Sequence, residues 1–123
     1  MIVTIVRFPV SESEPGDSLT VQDARERFGT NAHTYLDVPG LLWKAYLLSE
    51  DGRTVGGTYW WADRSSAEAK FNSGWLAGVT EKYGTPPSVE WFEAPVVVDP
   101  RFNTIRVDPP PARAASGQKA DEG

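Results

Sequence analysis

Two side chains in this 123-residue chain have the chemistry of a general base near neutral pH, Lys44 and His33. Lys44 falls between Leu42 and Tyr46 on one parity of a strand-like run, LLWKAYLLS, whose two parities are both largely apolar. A lysine desolvated in this way has its pKa lowered, and it acts as a base or holds an oxyanion. The alternative for Lys44 is an ion pair at the sheet edge or the dimer interface, for example with Glu90 or Glu93 of the last strand, since structural pairs also perturb lysines. His33 lies on a helical stretch, one residue past Ala32 and two before Tyr35. It is either the base for substrate deprotonation or an inert residue on the helix flank. Around these two, Trp43, Tyr46, Tyr59, Trp61, Phe71, Trp75 and Trp91 are candidates to line a cavity for a flat substrate. Their Tyr O–H and Trp N–H groups would orient it, although a packed core and an interface would draw on the same aromatic walls.

Composition narrows the chemistry further. The chain has no cysteine, which excludes disulfides, thiolate metal sites, cysteine nucleophiles and iron–sulfur clusters. With one histidine it cannot build His-rich zinc sites or a non-haem iron triad, and any Ser-His-Asp triad would need His33. Neither a metal nor a cofactor is expected. The 12 basic against 17 acidic residues, a net charge of −5, argue against a nucleic-acid partner. Met1 to Phe8 is a short apolar run without a basic stretch before it, and nothing approaches the length of a membrane span, so a cytoplasmic protein is expected. Gly56-Gly57 sits inside a strand pattern, where it suggests a bulge or a close approach rather than a phosphate loop.

The elements that must position these groups are legible from periodicity. Residues 2–8 (IVTIVRF) read as a strand and 9–17 as a loop with Pro9, Pro15 and Gly16. From about Ser18 to Leu36, Val21, Ala24, Phe28, Ala32 and Tyr35 recur at helical spacing, and Pro39-Gly40 ends the helix. Runs 41–49 and 54–62 flank Glu50-Asp51-Gly52-Arg53, a hairpin signal. Asp63 caps a second helix with the stripe Ala67, Phe71, Trp75 and Val79, ending near Gly84 and Pro86-Pro87. Residues 88–99 complete the set as a strand interrupted by Pro95. The order β-α-β-β-α-β predicts an α+β, ferredoxin-like fold: an antiparallel four-stranded sheet with two helices on one face. It occupies residues 1–108. Residues 109–123 (PPPARAASGQKADEG) lack aromatic and branched apolar side chains and are expected to form a flexible tail.

In 42–48 one parity carries Trp43, Ala45 and Leu47 and the other Leu42, Lys44, Tyr46 and Leu48. In 55–61 Val55, Gly57, Tyr59 and Trp61 alternate with Thr58 and Trp60. Two helices cover only one face of a sheet, so the second apolar face calls for a partner, and a homodimer packed sheet on sheet is expected.

Residues 39–63, PGLLWKAYLLSEDGRTVGGTYWWAD, closely resemble the YdhR-type monooxygenase family. The matching features are the Pro-Gly turn, Leu-Leu-Trp-Lys entering a strand, Ser49-Glu50 at its end, Gly56-Gly57, the aromatic stretch and Asp63. The likeness extends more loosely over most of residues 1–100. It implies the dimeric α/β-barrel superfamily, which includes the antibiotic biosynthesis monooxygenases, with a cavity between sheet and helices. It also implies cofactor-independent oxidation of an electron-rich aromatic, polyketide-like or enolisable small molecule by dioxygen. A cyclase or isomerase using the same cavity, and a non-catalytic ligand-binding dimer, are the alternatives that the superfamily leaves open.

Overall fold

The computed structural model describes residues 1–10 and 18–108. Strands β1 (Ile2–Pro9), β2 (Leu41–Leu48), β3 (Thr54–Trp61) and β4 (Ser88–Glu93) form one sheet in the order β2-β3-β1-β4, with all neighbours antiparallel. This is the ferredoxin-like arrangement expected from the sequence. Helix α1 (Val21–Asn31) runs into a single 3-10 turn at Ala32–Tyr35, and α2 (Arg64–Lys70) is followed by α3 (Ser73–Tyr83). No helix among the described residues is long and apolar enough to cross a membrane.

Each boundary has a local cause. Thr20 caps α1: its hydroxyl accepts from the Asp23 N–H, while the Asp23 carboxylate accepts from the Thr20 N–H, a reciprocal capping box. Asp51-Gly52 makes the β2–β3 turn, with Gly52 at φ +74°. Asp63 caps α2 by accepting from the Ser66 N–H at 2.8 Å. The sequence reads one helix from Asp63 to Gly84, but the chain breaks at Phe71. Asn72 caps a second helix there by accepting from the Trp75 N–H at 2.9 Å. Ala67, Phe71 and Trp75 still pack on the core cluster because the break preserves their side of the chain.

Of the two readings of Gly56-Gly57 the bulge is not found, and the close approach is made by a neighbouring strand; the register shift of the sheet lies in β2, between Leu41 and Trp43. The β1–β3 ladder runs unbroken past both glycines; a Cβ on Gly56 would collide with the Val6 carbonyl, so close strand approach explains that residue. Residues 88–99 are not one strand: β4 ends at Glu93, and β5 (Val96–Asp99) pairs with β6 (Thr104–Val107) in a hairpin absent from the sequence reading. The chain forms two compact units, divided between Glu93 and Ala94. The proposed tail at 109–123 lies outside the described residues.

In the larger unit, one sheet face carries Ile2, Thr4, Val6, Val55, Tyr59 and Trp61, all buried, with Ala67 of α2 packed against them. Trp61 is completely buried, and its indole Nε1 donates to Thr4 Oγ1 at 3.0 Å across the β3–β1 ladder. The other face presents Trp43, Leu47 and Phe92, each at least 38% exposed. Thr4→Val keeps the shape of its side chain but orphans the Trp61 donor in a dry site. It is expected to lower unfolding free energy by about 1–3 kcal/mol, read from the urea midpoint.

Candidate active site

A cavity of about 100 Å³ opens between the sheet, α1, the 3-10 turn and α3. Strand β2 brings Lys44 and Tyr46 to it, β3 brings Tyr59, the 3-10 turn brings Tyr35, and α3 brings Trp75, Val79 and Tyr83. The parity that places Lys44 inward follows from the ladder, in which Lys44 faces Tyr59 and Tyr46 faces Gly57. A Cβ on Gly57 would stand 3.2 Å from the Tyr59 ring and 3.4 Å from the Lys44 stem, so this glycine preserves the space at the sheet side of the cavity.

Lys44 is the centre of the arrangement. Its Nζ lies 3.3 Å from the ring centroid of Tyr35, 3.9 Å from that of Tyr46 and 4.6 Å from that of Tyr59. All three are within cation–π range. Among the described residues no carboxylate forms an ion pair with it. The sequence alternative of a pair with Glu90 or Glu93 fails for a topological reason: β2 and β4 are opposite edges of the sheet, and Glu90 pairs with Arg7. Burial, helped by the positive charge of Lys70, pushes the Lys44 pKa down to about 7.

The phenols are held in a connected set. Phe28 stacks on Tyr46 at 4.8 Å, and Asn31 Nδ2 donates to the Tyr46 hydroxyl at 3.0 Å. Burial raises the pKa of Tyr46, an effect that the Asn31 bond opposes. Burial also drives the Tyr59 hydroxyl well above the ordinary phenol value, with Tyr35 adding to the effect through its charge and a hydrogen bond. Both therefore stay neutral and remain hydrogen-bonding groups. Phe8 stacks on Tyr83 at 4.1 Å at another part of the wall.

Of the residues singled out from sequence, Lys44, Tyr46, Tyr59 and Trp75 meet at this cavity. Trp61, Phe71 and Trp91 do not line it: Trp61 is core, and Phe71 sits edge-on to Trp61 at 5.6 Å and to Trp91 at 6.3 Å. Trp43 does not line it either: it lies 4.8 Å from Trp60 and borders a separate groove at the β2 edge, which Tyr35, Lys44 and Tyr46 also line. His33 is exposed on the 3-10 turn and is not among the lining residues, so the structure does not bring it to Lys44. Residues that sequence reasoning missed are Tyr35, Phe28, Asn31 and Tyr83, with Arg27 and Lys82. For Tyr35 and Phe28 a signal was present, since both belong to the apolar stripe of the first helix. Among the described residues no group of three or more His, Asp or Glu is placed to hold a metal ion.

No family model matches the chain, and no curated protein sequence matches it. Among solved structures, the chain is similar to a monooxygenase from the gene ActVA-Orf6 of Streptomyces coelicolor, in complex with nanaomycin D. The TM-score is 0.56 at 22% identity, over 80% of this chain and 91% of that one. A protein of Deinococcus radiodurans assigned as an antibiotic biosynthesis monooxygenase also gives 0.56, at 12% identity, over 80% of this chain and 97% of that one. A mutant of SnoaB, a cofactor-independent oxygenase of Streptomyces nogalater, matches at TM-score 0.49 and 19% identity over 76% and 92% of the two chains. The chain shares the fold of the first two.

The depressed Lys44 pKa makes stability depend on pH. Between about 7 and its ordinary value of 10.5, the unfolded chain holds a proton that the folded chain has released, so this residue's contribution to stability rises with pH and levels off below about 7. Lys44→Met removes that slope. Urea unfolding is expected to show the variant more stable than the wild type at neutral pH, with the gap closing as pH rises toward 10.5.

Proposed function

We propose that the chain is a monooxygenase that oxidises an electron-rich phenolic or enolisable small molecule with dioxygen, using no bound metal or cofactor. The observation that carries this reading is Lys44, an amine with a pKa near 7 set against three tyrosine faces and without a carboxylate partner. The fold shared with a Streptomyces coelicolor monooxygenase and the resemblance of residues 39–63 to the YdhR-type family support it.

In this mechanism the neutral Lys44 amine takes the phenolic proton, leaving a phenolate beside its ammonium. The phenolate passes one electron to dioxygen, and the radical pair joins at the ring carbon para to the oxygen. The Lys44 ammonium protonates the distal oxygen of the resulting peroxide anion. The amine so formed takes the proton of the ring carbon as the O–O bond breaks to a second carbonyl, and the departing hydroxide takes that proton back from the ammonium. The sum is phenol plus dioxygen giving quinone plus water, with Lys44 returned to the amine. The aromatic wall contributes by excluding water and by holding the ring in place, and neutral Tyr46 and Tyr59 donate hydrogen bonds to developing negative charge. A cytoplasmic setting suits this cysteine-free chain.

The second sheet face belongs to the same proposal. Trp43, Leu47 and Phe92 are exposed on it, together with the flanks of Val3, Ile5 and Trp60. A second copy packed face to face would bury them and stiffen the sheet on which Lys44 and Tyr59 are mounted.

Oxygen consumption with a naphthol whose para position is free is expected to require active protein, and kcat/KM is expected to rise with pH through a midpoint of about 7. Lys44→Gln should lower it by about 10²- to 10⁴-fold and abolish that pH dependence. Turnover without oxygen uptake would assign the cavity to a cyclase or isomerase instead. Light scattering should give twice the 13.5 kDa chain mass, and Ile5→Glu, at the middle of the apolar face, should halve it.

A further inference from the structure

The charge around the cavity is of one sign. Its charged lining residues are Arg27, Lys44 and Lys82, and no Asp or Glu occurs among its described lining residues. This is unexpected in a chain of 17 acidic and 12 basic residues. Lys44 is half-buried, whereas Arg27 on α1 and Lys82 on the last turn of α3 are exposed, so these two mark the solvent end. Neither forms an ion pair among the described residues. Asp23, one turn earlier on α1, does feel Arg27, but its carboxylate is committed to the Thr20 capping box.

Size adds a second constraint. About 100 Å³ is less than the roughly 150 Å³ that takes up a benzene molecule, so anything larger than one small ring extends out past the solvent end. Arg27 presents a planar fork that matches a carboxylate, and Lys82 adds a mobile point charge to the lining of the same cavity. We infer that the substrate is an aromatic carboxylate: its hydroxylated ring reaches Lys44 and its carboxylate is taken by Arg27 and Lys82. This rests on the reading of the cavity as the substrate site, but not on the use of dioxygen.

Binding is therefore tested without turnover, by calorimetric titration of the purified protein with a hydroxynaphthoate and with the neutral hydroxynaphthamide of the same shape. The carboxylate is expected to bind about tenfold more tightly at low salt, and the advantage should shrink severalfold when ionic strength is raised to about 0.5 M. Arg27→Gln and Lys82→Gln should each remove about two- to fivefold of it, while Arg25→Gln, elsewhere on α1, should leave it unchanged. Both lining residues are exposed, so the variants should fold, which circular dichroism checks. Equal affinity for acid and amide, an advantage insensitive to both variants, or no binding of either probe overturns the inference. A carboxylate preference without any oxygen uptake would uphold it and reject the oxygenase chemistry; oxygen uptake with equal affinities would do the reverse.

Discussion

The site depends on one constraint, that the Lys44 amine meets ring faces where a carboxylate would ordinarily stand. An acid at that position would fix the ammonium form and remove its basicity. Ring quadrupoles attract the ammonium through induced and permanent polarity without a formal charge, so they receive a proton-bearing amine while letting it release the proton. Burial pulls the other way from the rings, and Lys70, 4.9 Å from the far-reaching Tyr35 ring, adds repulsion. The amine is thereby poised for exchange, and Tyr46 and Tyr59 beside it are kept neutral by the same dry surroundings.

Much of the local architecture exists to deliver these four side chains to one place. The register shift in β2 lets Leu41 face the buried Trp61 while Trp43 turns outward and Lys44 turns in. Gly57 leaves the opening between Tyr46 and Tyr59 unfilled. The 3-10 turn after Asn31 swings Tyr35 over the lysine, and Asn31 itself stays close enough to hold the Tyr46 hydroxyl. The break at Asn72 gives α3 its own start, so that Trp75, Val79 and Tyr83 reach the cavity while Ala67 remains in the core. The core beneath, with Trp61 tied to Thr4, contributes rigidity and no chemistry of its own.

Fold order was legible because strands and helices differ in hydrophobic period; the apolar neighbours of Lys44 pointed to its desolvation, while the other face of β2, with Trp43 and Leu47, is exposed in the protomer. What escaped has physical reasons. The stripe Ala67, Phe71, Trp75 and Val79 keeps helical spacing across a break, because Asn72 restarts a helix in nearly the same phase, so periodicity cannot register the cap. His33 and Tyr35 are two residues apart, about 200° around a helix, so the stripe that includes Tyr35 already turned His33 away. The aromatics were harder to divide. Trp61 and Tyr59 share one face of β3, and only depth distinguishes a tryptophan sealed in the core from a tyrosine at a cavity wall.

Net charge was the least informative quantity of all. A total of −5 describes the chain as seen from far away, where salt screens it within about a Debye length of roughly 10 Å. A ligand entering the cavity meets a different field, set by Arg27 and Lys82 at the exposed end and Lys44 further in. Low-dielectric aromatic walls focus that local field, while the acidic groups of α1 are spent on caps and on side-chain bonds such as Gln22 to Glu26. A net negative charge repels anions in general. For the proposed aromatic carboxylate, the cationic cavity would reverse that preference at one point, and the flat ring would still have to fit before its charge is met. Shape and charge together would then select a narrower class of ligand than either alone.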